Sequence, residues 1–300
     1  MLSVRAQYMR IWHIMTTDRI RPRHGRGKNH VRLINIGPYL GAKASDKDET
    51  GTPIVQELVE NMRRKGQLEG VEIEFDSGTT KPAKRDRDDD VLTHISVGVL
   101  EKIKEYSALG TYDAIVCRGS LEPAFYAGRE TSKIPVAFAL HSAVHVASLI
   151  GEKFSIIEVT DAMARIARRN VQAYGLGDKL TSVRRLNVPS VEMGSAIYAV
   201  KKARRATDPQ IGKILDTAMT ECRAAIENEG ADTIILGCTP LQYLEDELTQ
   251  RLAAAGYGEI QLVCEFSAAV EMAKAMVNMK LKQAPRAYPT DQLKAKPLYR

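Results

Sequence analysis

Three hundred residues, 44% hydrophobic and 27% charged, are enough to bury a substantial core in one large or two smaller globular domains. The net charge of +6 is mild, and no basic stripe with interleaved aromatics runs through the body of the chain, which argues against a nucleic-acid partner. No apolar run approaches the roughly 20 residues that span a bilayer, so membrane insertion is not expected and a cytoplasmic protein is.

Residues 1–30 carry seven Arg or Lys against one acid, Asp18, and lack the apolar core of a secretory signal. They read as a basic N-terminal leader, of a composition compatible with disorder, with Met9 and Met15 as alternative starts. From residue 31 the chain alternates strand-like and helix-like segments. "VRLINIG" (31–37) is apolar, β-branched and closed by Gly37-Pro38. A helical stretch over 53–65 precedes "VEIEFDSG" (71–78), and the acidic run Asp86–Asp90 suits the start of a helix ending near Leu109. "YDAIVCRG" (112–119) and "IPVAFA" (134–139) complete a first set of strands.

The second half repeats this order. "FSIIEV" (154–159) is a strand, and Asp161 is placed to cap a helix ending near Gly175. "LTSVRRLNV" (180–188) follows, then a long helix opened by Asp208-Pro209, then "DTIILGC" and "IQLVCEF". Corresponding strands lie roughly 110 to 125 residues apart, as in a duplicated unit. The pattern predicts two pseudo-symmetric open α/β domains with parallel four-stranded sheets and a cleft between them. The first domain is expected over 31–147 plus 265–283, the second over 148–264, with a tail over 284–300.

Cysteines stand at 117, 222, 238 and 264, with no CxxC spacing, which fits a reducing compartment better than disulfides or zinc. Cys222 falls inside a helix and Cys264 after the last strand, and both read as structural. Cys117 and Cys238 each end the third strand of a half, where open α/β sheets bind ligands. Two thiols facing one cleft can invert a stereocentre beside a carbonyl: one as thiolate removes the proton, the other as thiol delivers one to the far face. Thiols ionise near pH 8.5, and following helix amides favour the thiolate. Gly119, Ser120, Gly237 and Thr239 would then stabilise the enolate-like oxygen.

"DAIVC" with "EPAFYAGRE", "IPVAFALHSAVHVASLIGEKFSII", "VQAYGL" and "ADTIILGC" together resemble the aspartate/glutamate racemase superfamily, nearest its hydantoin racemase branch. The final "SAAVEMAKAMV" resembles the helix that returns to the first domain. The resemblance covers about residues 31–281 and implies cofactor-independent racemisation by two cleft cysteines, here Cys117 and Cys238, on a hydantoin-like or amino-acid-derived small molecule. It also implies a homo-oligomer. Three departures bear on substrate. Aligned on Cys117, the chain inserts two residues before the acid-Pro pair Glu122-Pro123. His141 stands where relatives have an acid, and of an Asn-Pro-Asn-Thr turn only Asn35 and a displaced Pro38 remain.

Asn35, Thr79, Thr80 and His141 complete the expected substrate-binding set. His141 and His145 share a helix face, but without a third ligand no metal site is expected. The glycines suit neither a dinucleotide loop nor a P-loop, so no cofactor is expected. The alternatives are a maleate-type cis–trans isomerase with a covalent cysteine, and a Cys–His hydrolase with His141 as base. A non-catalytic binding protein would tolerate loss of both thiols. Decarboxylating relatives keep one cleft cysteine, so two thiols count against that activity.

Overall fold

In the computed structural model, which describes residues 30–38, 52–79, 88–188 and 209–289, the described strands form two four-stranded sheets with every pairing parallel. The first half runs β1 (Val31–Ile36), α1 (Thr52–Arg64), β2 (Val71–Phe75), α2 (Asp89–Leu109), β3 (Ala114–Cys117), α3 (Phe125–Thr131), β4 (Val136–Phe138) and α4 (Ala139–Ile150). The second runs β5 (Phe154–Glu158), α5 (Asp161–Ala173), a 3-10 turn, β6 (Leu180–Arg185), α6 (Pro209–Glu229), β7 (Thr233–Leu236), α7 (Thr239–Gln242), α8 (Glu245–Ala254), β8 (Gln261–Cys264) and α9 (Glu265–Asn278). The strand orders, β2-β1-β3-β4 and β6-β5-β7-β8, are the same in both halves, as the duplication predicts.

The central strands are apolar along their length because helices cover both faces of a parallel sheet. β5 is buried at every position, and β1 at all but Arg32. Side chains alternate between the faces. Leu33, Ala114 and Val116 point into one cluster; Ile34, Ile36, Ile115 and Cys117 point into another, against Val99 and Ile103 of α2. α2 begins where the acidic run predicts, with the Asp88 carboxylate accepting the Val91 N–H at 3.0 Å, and ends at Gly110 in the left-handed region. One expected cap is corrected. Thr160, not Asp161, caps α5, because its hydroxyl reaches the Met163 N–H; Asp161 is the first helical residue.

Each half lends its last helix to the other sheet. α9 sets Phe266, Ala269, Val270 and Ala273 on Val31, Leu33, Ala114 and Val116 of the first sheet. α4 sets Leu140, Ala143, Val144 and Ala147 on Phe154, Ile156 and Ile235 of the second. Burying one large apolar side chain is worth about 1.5–3 kcal/mol, so this exchange binds the halves firmly. It also holds the carboxyl ends of the two sheets together. No helix among the described residues is long and apolar enough to cross a membrane.

Candidate active site

Hydrogen bonds align the two halves residue by residue. The Asp113 N–H donates to the Arg32 carbonyl at 2.8 Å and its carboxylate accepts the Arg32 N–H at 2.9 Å. Asp232 does the same with Lys153, at 3.0 and 3.1 Å. At the other end of the ladders Ile36 pairs with Cys117, and Ile157 with Leu236. Just beyond, Arg118 N–H donates to the Ile36 carbonyl at 3.2 Å and Gly237 N–H to the Ile157 carbonyl at 3.0 Å. Finally Glu122 N–H closes a turn on the Gly119 carbonyl at 3.3 Å, as Leu241 does on Cys238 at 2.8 Å.

The first strands correspond at a constant offset, and the third strands with the loops after them at another, which pairs Asp113 with Asp232, Arg118 with Gly237, Glu122 with Leu241 and therefore Gly119 with Cys238. Cys117 pairs with Leu236. The expectation that the two cysteines occupy equivalent strand ends is therefore corrected: Cys117 is the last residue of β3, whereas Cys238 lies two residues beyond β7. At about 3.3 Å per strand residue, two positions separate the inside of a sheet from its mouth. Gly119 to Glu122 matches Cys238 to Leu241 without a gap.

The surroundings of the thiols differ accordingly. Cys117 is packed among Ile34, Ile36, Val99, Ile103, Phe125 and Phe138. Burial first, and Glu122 second, push its pKa well above the usual thiol range, which keeps it a neutral thiol. Cys238 precedes the short α7 in a cluster that joins the halves, with Leu121 from the first and Leu236, Leu241 and Leu244 from the second. Gly119 has φ 95, and a side chain there would meet nothing within 4 Å. None of the four cysteines forms a disulfide.

Around this junction lie three buried carboxyls that the sequence reading left out of the site: Glu122, Glu158 and Glu265, at 4%, 0% and 0% exposure. Glu122 is held in a left-handed conformation (φ 51), which an L-residue keeps only when its surroundings enforce it. Here the His141 N–H at 2.6 Å and the Tyr174 hydroxyl both donate to its carboxylate. Burial nevertheless raises its pKa to about 8, against the pull of those donors. Glu158 ends β5 and lays its carboxyl over Gly237, where a Cβ would come within 2.6 Å of Oε1. Burial raises it to about 7, while the Ser120 hydroxyl and the Val159 N–H pull it down. The Ser120 hydroxyl lies near the Glu158 carboxyl, yet neither Ser120 Oγ nor Glu158 Oε1 completes a hydrogen bond among the described residues.

Glu265, the first residue of α9, has no partner among the described residues for either carboxylate oxygen. Burial, then Glu158, then Glu122 drive its pKa far up, so it stays protonated. Gln242 accepts the Phe266 N–H at 2.9 Å through Oε1 and leaves Nε2 without a partner. Unsatisfied buried polar atoms are rare, and a group of them from both halves marks a place built for a polar ligand.

The other expected residues serve the framework. Asn35 donates to the Val116 carbonyl at 3.2 Å and ties β1 to β3. In "DSGTT", Asp76 takes the Gly78 N–H and the Tyr106 hydroxyl, and Thr79 packs against Gly98 of α2. Thr80 lies outside the described residues. The His141 ring packs at a tilt against Phe125 and His145 and edge-on against Tyr174, and burial, His145 and Arg129 lower its pKa to about 3. It reaches the carboxyl group through its main-chain N–H, not its imidazole. Gly237 and Thr239 flank Cys238 as expected. Among the described residues no group of three His, Cys, Asp or Glu is arranged to hold a metal.

The contact over Gly237 is testable. In Gly237→Ala the new methyl must displace the Glu158 carboxyl and crowd the Ile157 carbonyl, 3.1 Å away, so both melting temperature and turnover should fall. A loss of about 1–3 kcal/mol in urea unfolding is expected from overpacking at such a site. A variant with unchanged stability and activity would show that Glu158 is free to move aside.

The model of the Asp/Glu/Hydantoin racemase family matches residues 48–273. A hydantoin racemase of Rhizobium meliloti is 30% identical over 180 residues, covering 60% of this chain and 66% of that protein. A hydantoin racemase of Pseudomonas sp. (strain NS671) is 28% identical over 155 residues, covering 52% and 56%. The chain thus spans 56% and 66% of the length of these two curated relatives. Among solved structures, allantoin racemase from Pseudomonas fluorescens shares the fold with a TM-score of 0.66 at 19% identity, over 87% of this chain and 97% of that one. Glutamate racemase from Bacillus anthracis does so at 0.56 and 16%, over 85% of each. With both parallel sheets in place and the family's match running through nearly all of them, the chain belongs to the Asp/Glu/Hydantoin racemase family.

Proposed function

We propose that this protein racemises or epimerises a carbonyl-activated stereocentre without a cofactor, with Cys238 as a proton-exchanging thiol. The observation that carries this reading is the place of Cys238. It lies beyond the carboxyl end of β7, where open α/β sheets bind ligands, among buried polar atoms contributed by both halves. The family supports the reaction class.

The substrate is an uncharged polar ring of the hydantoin or ureide type. Ser120 Oγ, Gln242 Nε2 and the Glu158 and Glu265 carboxyls offer donors and acceptors in a dry setting, which suits alternating N–H and C=O groups. A free acidic amino acid would have to shed the water around its charged carboxylates and ammonium group to enter so dry a setting, a cost that an uncharged ring avoids. A malonate for decarboxylation meets the same desolvation cost, and a Cys–His hydrolase is disfavoured because the His141 ring packs against Phe125, His145 and Tyr174 and its lowered pKa makes it a weak base.

Polarimetry on single enantiomers of 5-substituted hydantoins, allantoin, aspartate and glutamate tests this. Decay of rotation is expected for the ring or ureide substrates and not for the amino acids. If every chiral member keeps its rotation while maleate is converted to fumarate, the cis–trans isomerase is the correct reading.

A further inference from the structure

The hydrogen-bond alignment leaves one face of the substrate without a thiol. Gly119 stands where the second half has Cys238, and the space in front of it is open. Inverting a stereocentre still requires a proton carrier on each side. Of the buried groups nearby, Glu122 has its carboxylate occupied by the His141 N–H and the Tyr174 hydroxyl. Glu265 carries its proton too tightly to give and take it. Glu158 is different. One oxygen is oriented by the Val159 N–H at 3.3 Å, and the other has no partner among the described residues. Its carboxyl is fixed over Gly237, beside Cys238, and extends to Ser120, the neighbour of Gly119. It therefore touches the strand-end loops of both halves.

We propose that this enzyme works with one thiol and one carboxyl: Cys238 exchanges the proton on one face of the stereocentre, Glu158 on the other, and Cys117 takes no part in the chemistry. This rests on the racemase reading above. In one direction the Cys238 thiolate takes the stereocentre's hydrogen as a proton and becomes a thiol, while the C–H electron pair moves into the adjacent carbonyl to form an enolate. The Glu158 carboxylic acid then gives its proton to the opposite face of that carbon and is left as a carboxylate. The carbon is inverted, and the pair still holds one proton. The other enantiomer starts from thiol and carboxylate and runs the same steps backward. A carboxyl whose pKa burial raises to about 7 can occupy both states near neutrality.

Three variants test this in the full-length protein. Cys117→Ala should racemise at the wild-type rate. Glu158→Gln should lose about 10²–10⁴-fold in racemisation, yet in D₂O it should still exchange the stereocentre hydrogen of one enantiomer without inverting it. Cys238→Ser should show such exchange only with the opposite enantiomer. A second readout needs no substrate, so it fails separately from the racemase reading. Alkylation by iodoacetamide, mapped by mass spectrometry, should mark Cys238 and spare Cys117, and its pH midpoint at Cys238 should fall in Glu158→Gln, where a neighbouring negative charge is gone. Loss of racemisation in a folded Cys117→Ala protein overturns the proposal. So does Glu158→Gln activity within about threefold of wild type, or a Cys238 midpoint indifferent to Glu158.

Discussion

Cys238→Ser should lower kcat for racemisation by about 10²–10⁴-fold and leave KM and melting temperature nearly unchanged. Serine keeps the shape of the side chain to within the difference between oxygen and sulfur, so packing against Leu121, Leu241 and Leu244 largely survives. What it loses is acidity. A thiol ionises near pH 8.5 in water, whereas an aliphatic hydroxyl remains protonated throughout the accessible range and cannot supply a base of matched strength. Because that base acts only as the C–H bond breaks, the loss belongs in turnover, not in ground-state binding. Initial rates by polarimetry, with melting followed by circular dichroism, check both halves of the expectation. A variant retaining a tenth of the wild-type rate would remove Cys238 from the chemistry.

Stability should fall as pH rises from about 5 to 8, the reverse of what salt-bridged carboxylates produce. The sign follows from burial. A glutamate ionises near 4.3 in the unfolded chain, whereas folded Glu122 holds its proton to about 8 and Glu158 to about 7. Between those limits unfolding releases a proton, so each rising pH unit favours the unfolded state by roughly 1 kcal/mol per group. Above the folded values the loss is complete. His141 works from the acid side: its folded pKa of about 3 means the unfolded chain gains a proton below about 6.5, and stability drains away toward low pH. With Glu265 shifted the same way, three carboxyls stand against one imidazole, the maximum should fall at about pH 4, and Glu122→Gln should flatten the alkaline slope. Urea unfolding at successive pH values measures this. A profile that is level or climbs from pH 5 to 8 would mean the carboxyls are ionised in the folded protein.

Much of the architecture was legible in the chain because it follows from local patterns. β-branched runs such as "VRLINI" and "FSIIE" are continuous where both faces are covered, and their recurrence announced two equivalent sheets. The site was less legible, for a geometric reason. Cys117 and Cys238 look alike when each is read as the end of an apolar run, but strand ends are fixed by ladder bonds. Counting from the paired aspartates would have shown the difference, since Cys117 is four residues past Asp113 and Cys238 six past Asp232. Glu158 and Glu265 gave no signal, since a lone acid at the edge of a strand or helix usually faces water.

The sequence by itself determined the alternating α/β pattern, the duplication and the family, because periodicity and short motifs act over a few neighbouring residues. Only the tertiary structure decided that Cys117 belongs to the core of the first sheet, that Gly119 holds the position equivalent to Cys238, and that Glu122, Glu158 and Glu265 share one buried junction. Those facts depend on register and on the meeting of segments more than a hundred residues apart. Whether a carboxyl is solvated or holds its proton is set by what packs over it, and no local stretch of chain carries that information.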